Sequence, residues 1–343
     1  MRGFSTTGTA DMPSRVSSGG DEPILAWLRR AAEPLSGESL AEKLGISRAA
    51  VFKRVEALRE RGYAIEARHA QGYVLVGTPD RLDVTELGPH LAGSWRAIEW
   101  HATIDSTQRR ARELARTGAA EGTIVVAETQ TAGRGRLGRR WHSPPGANLY
   151  FSVILRPPLE PAVVPQLALV AGLAVAQTIR AVTDLDARLK WPNDVLVGGR
   201  KVTGVLTEMD AELEQVHSVV AGIGVNVNAP ADAFPPELRR TATSLAIACG
   251  RRVDRVAFTA RVFADLEALY RRFLAAGFTA LRVEWERLSA LGDRTVVVTG
   301  ADGEIGGRVV GLGDDGALRL VDAAGTMHRV VAGEVTIRDG YAP

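Results

Sequence analysis

Between residues 24 and 76 the apolar positions fall into three short helical runs and then two alternating ones. Residues 24–30 and 39–44 each make a short amphipathic helix, the second stopped at Gly45, and Ser47 caps a third that runs to Arg61 before Gly62. In that third helix Val51, Val55 and Leu58 recur at i, i+4 and i+7 and form a core stripe, while Ala49, Lys53, Glu56 and Glu60 face away. Residues 63–68 and 73–76 flank a turn at Gly72 and predict a β-hairpin. Helix, helix, glycine turn, helix and hairpin is the order of a winged helix-turn-helix. Small and basic side chains near the start of the third helix, Ser47, Arg48, Ala49 and Lys53, are the expected DNA contacts.

After residues 78–80 (TPD) the periodicity changes. Asp105 or Ser106 caps a helix with Ala111, Leu114 and Ala115 on its apolar face, and residues 123–128 and 148–155 are β-branched or aromatic runs that read as buried strands. Residues 165–180 predict a long apolar helix laid across a sheet. Residues 194–197 and 201–208 predict a hairpin over Gly198 and Gly199, and residues 217–228 a neighbouring strand. Gly204 inside the second of these strands costs stability unless something must approach the backbone. Strands joined by short turns imply a mixed or antiparallel sheet and argue against a Rossmann fold. Helices at 255–275 and 279–288 precede a series of short strands from residue 293 onward, which predicts a small β-barrel. The expected fold class is α+β, divided into a disordered tail at 1–20, a DNA-binding domain at 21–78, a catalytic domain at 79–290 and a last module at 291–343.

Composition narrows the function. With 343 residues and 45% hydrophobic content the chain can hold two or three cores, and a net charge of +2 confines any nucleic-acid affinity to one module. One cysteine, Cys249, excludes an intrachain disulfide or a thiolate cluster, and six histidines show no ligand spacing, so no metal site is expected. The first 20 residues lack a signal-peptide apolar core, and no run approaches the roughly 20 residues of a membrane span. A cytoplasmic protein with no membrane partner is the expectation.

The chemistry concentrates at residues 133–141, GRGRLGRRW, with four arginines and three glycines in nine positions. Glycine lets backbone N–H groups approach an anion, and arginine offers a planar fork of donors to phosphate or carboxylate. Like charges this close repel by about 1 kcal/mol for a pair at 4 Å in water, so the loop is expected to stay open until an anion joins it. Lys190, Asn193, Asp194 and Lys201 cluster around one turn, and Ser106 and Thr107 stand at a helix start. Such a set suits a carboxylate attacking the α-phosphate of a nucleotide, where two negative partners must meet and pyrophosphate must leave. Without a Walker A lysine motif, adenylate formation is favoured over γ-phosphoryl transfer.

GRGRLGRRW, KWPNDV, RKVTGVLTE and GIGVNVN, in this order and spacing, resemble the biotin protein ligase family, and the resemblance runs from Ile24 onward. The winged helix in front makes the chain similar to the bifunctional form, a biotin-[acetyl-CoA-carboxylase] ligase that is also the biotin operon repressor. The resemblance implies a class II synthetase-like catalytic domain, an SH3-like C-terminal barrel, and a reaction of biotin and ATP with Mg²⁺. That reaction gives biotinyl-5′-AMP and then biotinylates a lysine of a biotin carboxyl carrier protein. It further implies that Ser106, Thr107, Gln130, Gly133, Arg134, Gly135, Arg136, Lys201 and Gly204 bind biotin. Arg136, Arg139, Trp141, Lys190, Asn193, Lys201, Asn226 and Arg338 would bind the nucleotide, with Lys201, Arg136 and Asp194 catalytic. Operator DNA and a ligand-promoted homodimer are the implied further partners. Two departures stand out: the family's Ser-Thr-Asn reads Ser106-Thr107-Gln108 here, and the wing turn at 69–72 (HAQG) carries no lysine or arginine. The alternatives are a ligase whose winged helix no longer regulates, a biotin-sensing transcription factor without ligase activity, and a lipoate or octanoate ligase.

Overall fold

The computed structural model describes residues 22–91, 93–212, 215–300 and 303–337. The expected disordered tail at 1–20 and the nucleotide contact assigned to Arg338 lie outside them. The chain divides into two compact units, one ending at Pro79 and the other beginning at Asp80.

In the first unit α1 (Glu22–Arg30), α2 (Gly37–Leu44) and α3 (Arg48–Glu60) precede a hairpin of β1 (Ala64–Arg68) and β2 (Gly72–Gly77). Ser36 and Ser47 cap α2 and α3 by accepting from the N–H groups of Ser39 and Ala50. Gly45 then ends α2 in the left-handed region at φ 63°. Val51, Val55 and Leu58 join Ile24, Leu40 and Ile65 in one core, as their spacing requires. The opposite face of α3 presents Arg48, Ala49 and Lys53 to solvent, together with Phe52, which is 54% exposed.

The second unit is built on a mixed sheet. It contains α4 (Val84–Leu87), β3 (Ile98–His101), α5 (Thr107–Arg116), β4 (Ile124–Ala127), β5 (Leu149–Leu155), α6 (Gln166–Thr183) and β6 (Ala187–Lys190). Then follow β7 (Asp194–Val197), β8 (Arg200–Glu212), β9 (Gln215–Val225), α7 (Leu245–Cys249), α8 (Arg255–Ala276) and α9 (Thr279–Arg287). Among the described residues seven strands pair in the order β3-β4-β5-β9-β8-β7-β6, parallel between β3 and β4 and antiparallel elsewhere. Every residue of β5 is buried because both faces are covered. The core face packs on α6 and α8, with Phe151 meeting Phe263 edge-on at 4.9 Å. On the other face α5 sets Ala111 and Ala115 against Val125, Ile154 and Val220. Helix α5 covers only part of that face, and the remainder is the floor of a cavity. By length and composition residues 161–183 could cross a membrane, yet 72% of their most apolar window is buried, as in a core helix.

The C-terminal strands correct one expectation. β10 (Thr295–Gly300), β11 (Gly303–Leu312), β12 (Leu318–Val321), β13 (Met327–Val330) and β14 (Glu334–Ile337) form an antiparallel sheet in the order β13-β12-β11-β10-β14. Among the described residues β13 and β14 are free edges that do not pair with each other, so the sheet is not closed into the expected SH3-like barrel. A barrel covers its apolar face by curling onto itself. Here Val296, Val298, Leu312, Leu318 and Leu320 instead join Phe278, Trp285 and Leu288 in the core of the same unit. The Leu312 N–H donates to Glu286 at 2.7 Å, and Trp191 Nε1 donates to the Gly316 carbonyl at 3.0 Å.

Candidate active site

Cross-strand register assembles the cavity floor. Residues directly opposite in a sheet share a face, and one rung runs Tyr150–Gly224–Gly204–Asp194–Lys190 across β5, β9, β8, β7 and β6. The next rung on the same face runs Ser152–Gly222–Leu206. Three of these positions are glycine, so the middle of the floor has no side chains and can receive something flat. In this structure Trp141 fills part of that space: a Cβ at Gly224 would lie 2.4 Å from its Cε2, and one at Gly204 would lie 2.9 Å from its Cζ3. The backbone approach that Gly204 calls for is therefore made by an indole. Trp141 Nε1 is buried without an acceptor, and Lys201 Nζ stands 5.5 Å from the ring centroid.

The arginine-glycine loop closes over this floor. Gly135 N–H donates to the Arg139 carbonyl at 2.7 Å, and Trp141 N–H to the Gly133 carbonyl at 2.9 Å, pinching the loop into a hairpin-like turn with Leu137 at φ 54° and 74% exposed. The expected repulsion does not hold it open, because the arginines find acceptors in the protein. Arg134 pairs with Glu208 at 3.1 Å, Arg139 with Glu334 at 2.5 Å, and Arg140 donates to the Thr131 carbonyl at 2.9 Å. Arg136 donates to Asn193 Oδ1 at 2.8 Å and to the Gly333 carbonyl at 3.3 Å. Burial lowers the pKa of Arg136, opposed by the charges of Asp194 and Glu334.

At one side stand Lys190, Asn193, Asp194 and Lys201. Asn193 is held by its Nδ2 donating to the Val205 carbonyl at 2.9 Å, and Lys201 Nζ lies 2.6 Å from Asp194 Oδ1. No well-directed hydrogen bond reaches that oxygen, so the contact is an ion pair that an incoming anion can compete with. Burial depresses the Lys190 pKa and Lys201 adds to the effect, while Asp194 opposes it. The Lys201 backbone is clipped to the 238–243 segment, donating to the Thr241 carbonyl at 2.8 Å and accepting from Thr243 at 3.0 Å.

At the other side is the start of α5. Ser106, fully buried, caps the helix by accepting from the Arg109 N–H at 3.4 Å. Thr107 donates to Gln130 Oε1 from its N–H at 2.9 Å and from its hydroxyl at 3.2 Å. Gln130 Nε2 in turn donates to Ser143 Oγ at 3.1 Å. Two strand spacings separate Ser152 on β5 from the strand of Lys201, which is about 10 Å.

These groups line one cavity of about 870 Å³. It brings together Ser106, Thr107, Gln130, Arg134, Gly135, Arg136, Arg139, Trp141, Lys190, Asn193, Asp194, Lys201, Gly204 and Asn226. Asn226 is buried and donates to the Thr243 carbonyl at 3.1 Å. Gly133 stays outside the lining; a Cβ there would lie 2.6 Å from the Trp141 carbonyl and 2.9 Å from Ser143 Oγ, so its lack of a side chain lets the two ends of the loop meet. Sequence reasoning missed several lining residues. Gln108 and Ser152 sit under Thr107, Glu334 arrives from the C-terminal sheet, and Phe234 and Leu238 form an apolar wall. Strand alternation around Ser152 could have signalled a polar residue facing the cavity; nothing local marks Glu334 or the 234–238 wall. The expected DNA contacts Ser47, Arg48, Ala49 and Lys53 belong to the other unit and are all exposed on α3.

Comparison with known proteins gives three family matches. Residues 100–226 match the Biotin/lipoate A/B protein ligase family, residues 22–74 an HTH domain, and residues 291–338 the Biotin protein ligase C terminal domain. The chain is 41% identical to the bifunctional ligase/repressor BirA of Bacillus subtilis strain 168 over 291 residues, covering 84% of this chain and 89% of that one. It is 33% identical to BirA of Escherichia coli K12 over 311 residues, covering 88% and 92%. Among solved structures it is similar to the biotin protein ligase from Aquifex aeolicus in complex with biotin and ATP. That likeness has TM-score 0.62 and 32% identity, and spans 71% of this chain and 99% of that one.

Proposed function

The chain belongs to the biotin protein ligase family, in the form that carries a helix-turn-helix domain ahead of the ligase, and from that premise we propose how its cavity works. It is an ATP-dependent biotin protein ligase. Biotin lies with its ureido head at Ser106, Thr107 and Gln130, beside the Gly133–Arg136 backbone, and its valeryl chain runs across the glycine floor toward Lys201. ATP enters from the other side, its adenine against Phe234 and Leu238 with Asn226 nearby and its phosphates toward Lys190, Asn193, Arg136 and Arg139.

In the first step a biotin carboxylate oxygen bonds to the α-phosphorus while the bond to the bridging oxygen breaks and pyrophosphate leaves. Lys201 releases Asp194 and neutralises the charge that builds between carboxylate and phosphate, and Arg136 exchanges Asn193 for phosphate oxygen. In the second step a lysine amine of a carrier protein attacks the acyl carbon, AMP leaves, and Asp194 orients the amine and receives its proton. The described residues hold no group of three His, Cys, Asp or Glu able to cage a metal. Mg²⁺ usually binds through one or two carboxylates and substrate phosphates. Asp194 and Glu334 line the cavity as such carboxylates, and the ion would arrive with the triphosphate and supply charge neutralisation there.

The observation that carries this reading is the Lys201–Asp194 pair, beside Arg136, on the same floor as the polar start of α5. The test is biotin-dependent pyrophosphate release: Lys201→Ala should lose it by about 10²-fold or more, the scale of one removed charge-stabilising donor. Activity within twofold of wild type would remove Lys201 from the mechanism. We further propose functional divisions at 21–78, 79–290 and 291–343, a cytoplasmic location, and a homodimer promoted by the adenylate. Operator DNA would bind through Ser47, Arg48, Ala49 and Lys53, whose common exposed face supports that reading.

A further inference from the structure

One exposed side chain on α3 has no part in the chemistry above. Phe52 is 54% exposed although Val51 beside it is fully buried, and among the described residues of α3 it is the one large apolar side chain left in solvent. Single exposed hydrophobic residues are ordinary on a protein surface, so exposure alone says nothing. The surroundings of Phe52 say more. Arg48, Ala49, Phe52 and Lys53 recur at i, i+1, i+4 and i+5, which puts them on one face of the helix, and all four are exposed. The Arg48 and Lys53 side chains make no hydrogen bond or ion pair with any described residue. Glu56, one turn further on, is taken up by Arg59 at 2.6 Å, and Arg59 is itself anchored by donating to the Ile65 carbonyl at 2.9 and 2.7 Å.

An aromatic ring thus shares its face with two cations that have no acceptor. The cations call for an anionic partner, but phosphate alone gives the ring nothing to touch. Double-stranded DNA supplies both: phosphates flank its major groove, and inside the groove the C5 methyl of thymine is an apolar group on a base edge. The first turns of a recognition helix are the part that reaches base edges, and Phe52 is the fifth residue of α3. Ala49, one turn before it, is too small to block that approach. A membrane surface would need a whole apolar face, and one ring is too little.

We propose that Phe52 is a specificity-determining residue of the DNA-binding unit: its ring packs on a thymine methyl in the major groove while Arg48 and Lys53 hold flanking phosphates. The inference rests on the operator-binding reading and deepens it by naming the base that is read. The two cations set the affinity for any duplex, and the ring sets a preference among duplexes.

The test uses the full chain with biotin and ATP, and a duplex that this chain selects from a random-sequence pool. Each thymine of that duplex is replaced in turn by deoxyuridine, which keeps the base pair and loses only the methyl. At one or more thymines wild type should bind about fourfold more weakly, the fold-change of one methyl group returned to water. Phe52→Ala should bind the thymine duplex more weakly than wild type does, and should bind the thymine and uracil duplexes within about twofold of each other. Phe52→Leu keeps an apolar tip and should still prefer thymine. The slope of log affinity against log salt should be the same in Phe52→Ala as in wild type, because no phosphate contact is lost. Thermal unfolding of each variant separates loss of fold from loss of binding, and the wild-type scan stands even where a variant does not fold. A loss below about twofold at every thymine in wild type overturns the proposal, as does an undiminished loss in Phe52→Ala or a salt slope that falls in that variant. A pool from which no duplex is enriched would overturn the operator-binding reading itself, whereas an enriched duplex indifferent to every methyl overturns only this inference.

Discussion

Replacing Arg255 with methionine should destabilise the second unit by about 3 kcal/mol, the lower end of the range for breaking a buried ion pair. The Arg255 side chain is fully buried at the start of α8. It donates to Asp80 Oδ1 at 2.8 Å, the Asp80 carbonyl at 2.7 Å, Glu128 Oε2 at 2.8 Å and the Asn148 carbonyl at 2.9 Å. Asp80 is 35% exposed and regains water when the arginine goes, so its pair contributes little. Glu128 is 13% exposed and keeps only the Leu82 N–H at 2.8 Å and Trp100 Nε1 at 3.4 Å, both on its other oxygen. Most of the cost is therefore a buried carboxylate left without its cation. Urea unfolding followed by tryptophan fluorescence reads this unit, because of six tryptophans only Trp27 precedes Asp80. With a slope near ~3 kcal/mol per M, the midpoint should fall by roughly 1 M. Adding Glu128→Gln should recover part of the loss. A midpoint shift worth less than about 1 kcal/mol would refute the reasoning.

Other perturbations follow from the same floor and from α3. Gly224→Ala puts a Cβ 2.4 Å from Trp141 Cε2, where 3.4–4 Å is ordinary contact, so the indole must retreat by about 1 Å. We expect KM for ATP to rise about tenfold with the fold intact by circular dichroism. Burial holds the Lys190 pKa below its usual value, and a bound triphosphate restores it. ATP binding should then take up a proton at alkaline pH, between the depressed value and the ordinary lysine value near ~10.4, which calorimetry in two buffers of different ionisation enthalpy detects. Lys190→Met should abolish that uptake. If α3 contacts DNA phosphates, Arg48→Ala and Lys53→Ala should each reduce the slope of log affinity against log salt by about 1. An unchanged slope would place the DNA elsewhere.

Local pattern exposed much of this fold because each side chain in question answers to its own neighbours. Val51, Val55 and Leu58 point to a core from spacing alone, and Ser47 marks a helix start because its hydroxyl can take a free N–H. The glycine-rich strands were legible for a related reason: a Gly204 inside a strand makes sense only if something lies on it. What lay on it was not legible, since Trp141 reaches it through a loop whose path depends on Glu208, Glu334 and Asn193, all distant in sequence. Barrel closure failed as an expectation because strand count and turns describe a sheet, whereas closure depends on whether its apolar face finds the rest of the chain first. Here Trp285 and Phe278 supply that partner. Gln108 stood out in the sequence only as a departure from Ser-Thr-Asn, and its contacts with the Val220 carbonyl and Ser152 lie across the sheet, where no local pattern shows them.

The most direct measurement is transfer of biotin to a purified carrier domain with ATP and Mg²⁺, run beside lipoate and beside the Lys201→Ala protein. The account predicts that wild type attaches biotin to the carrier lysine with release of AMP and pyrophosphate and leaves lipoate unattached. It also predicts that Lys201→Ala still binds biotin but attaches it at least ~10²-fold more slowly. Attachment at wild-type rate by Lys201→Ala, or biotin bound by wild type without any transfer, would contradict it.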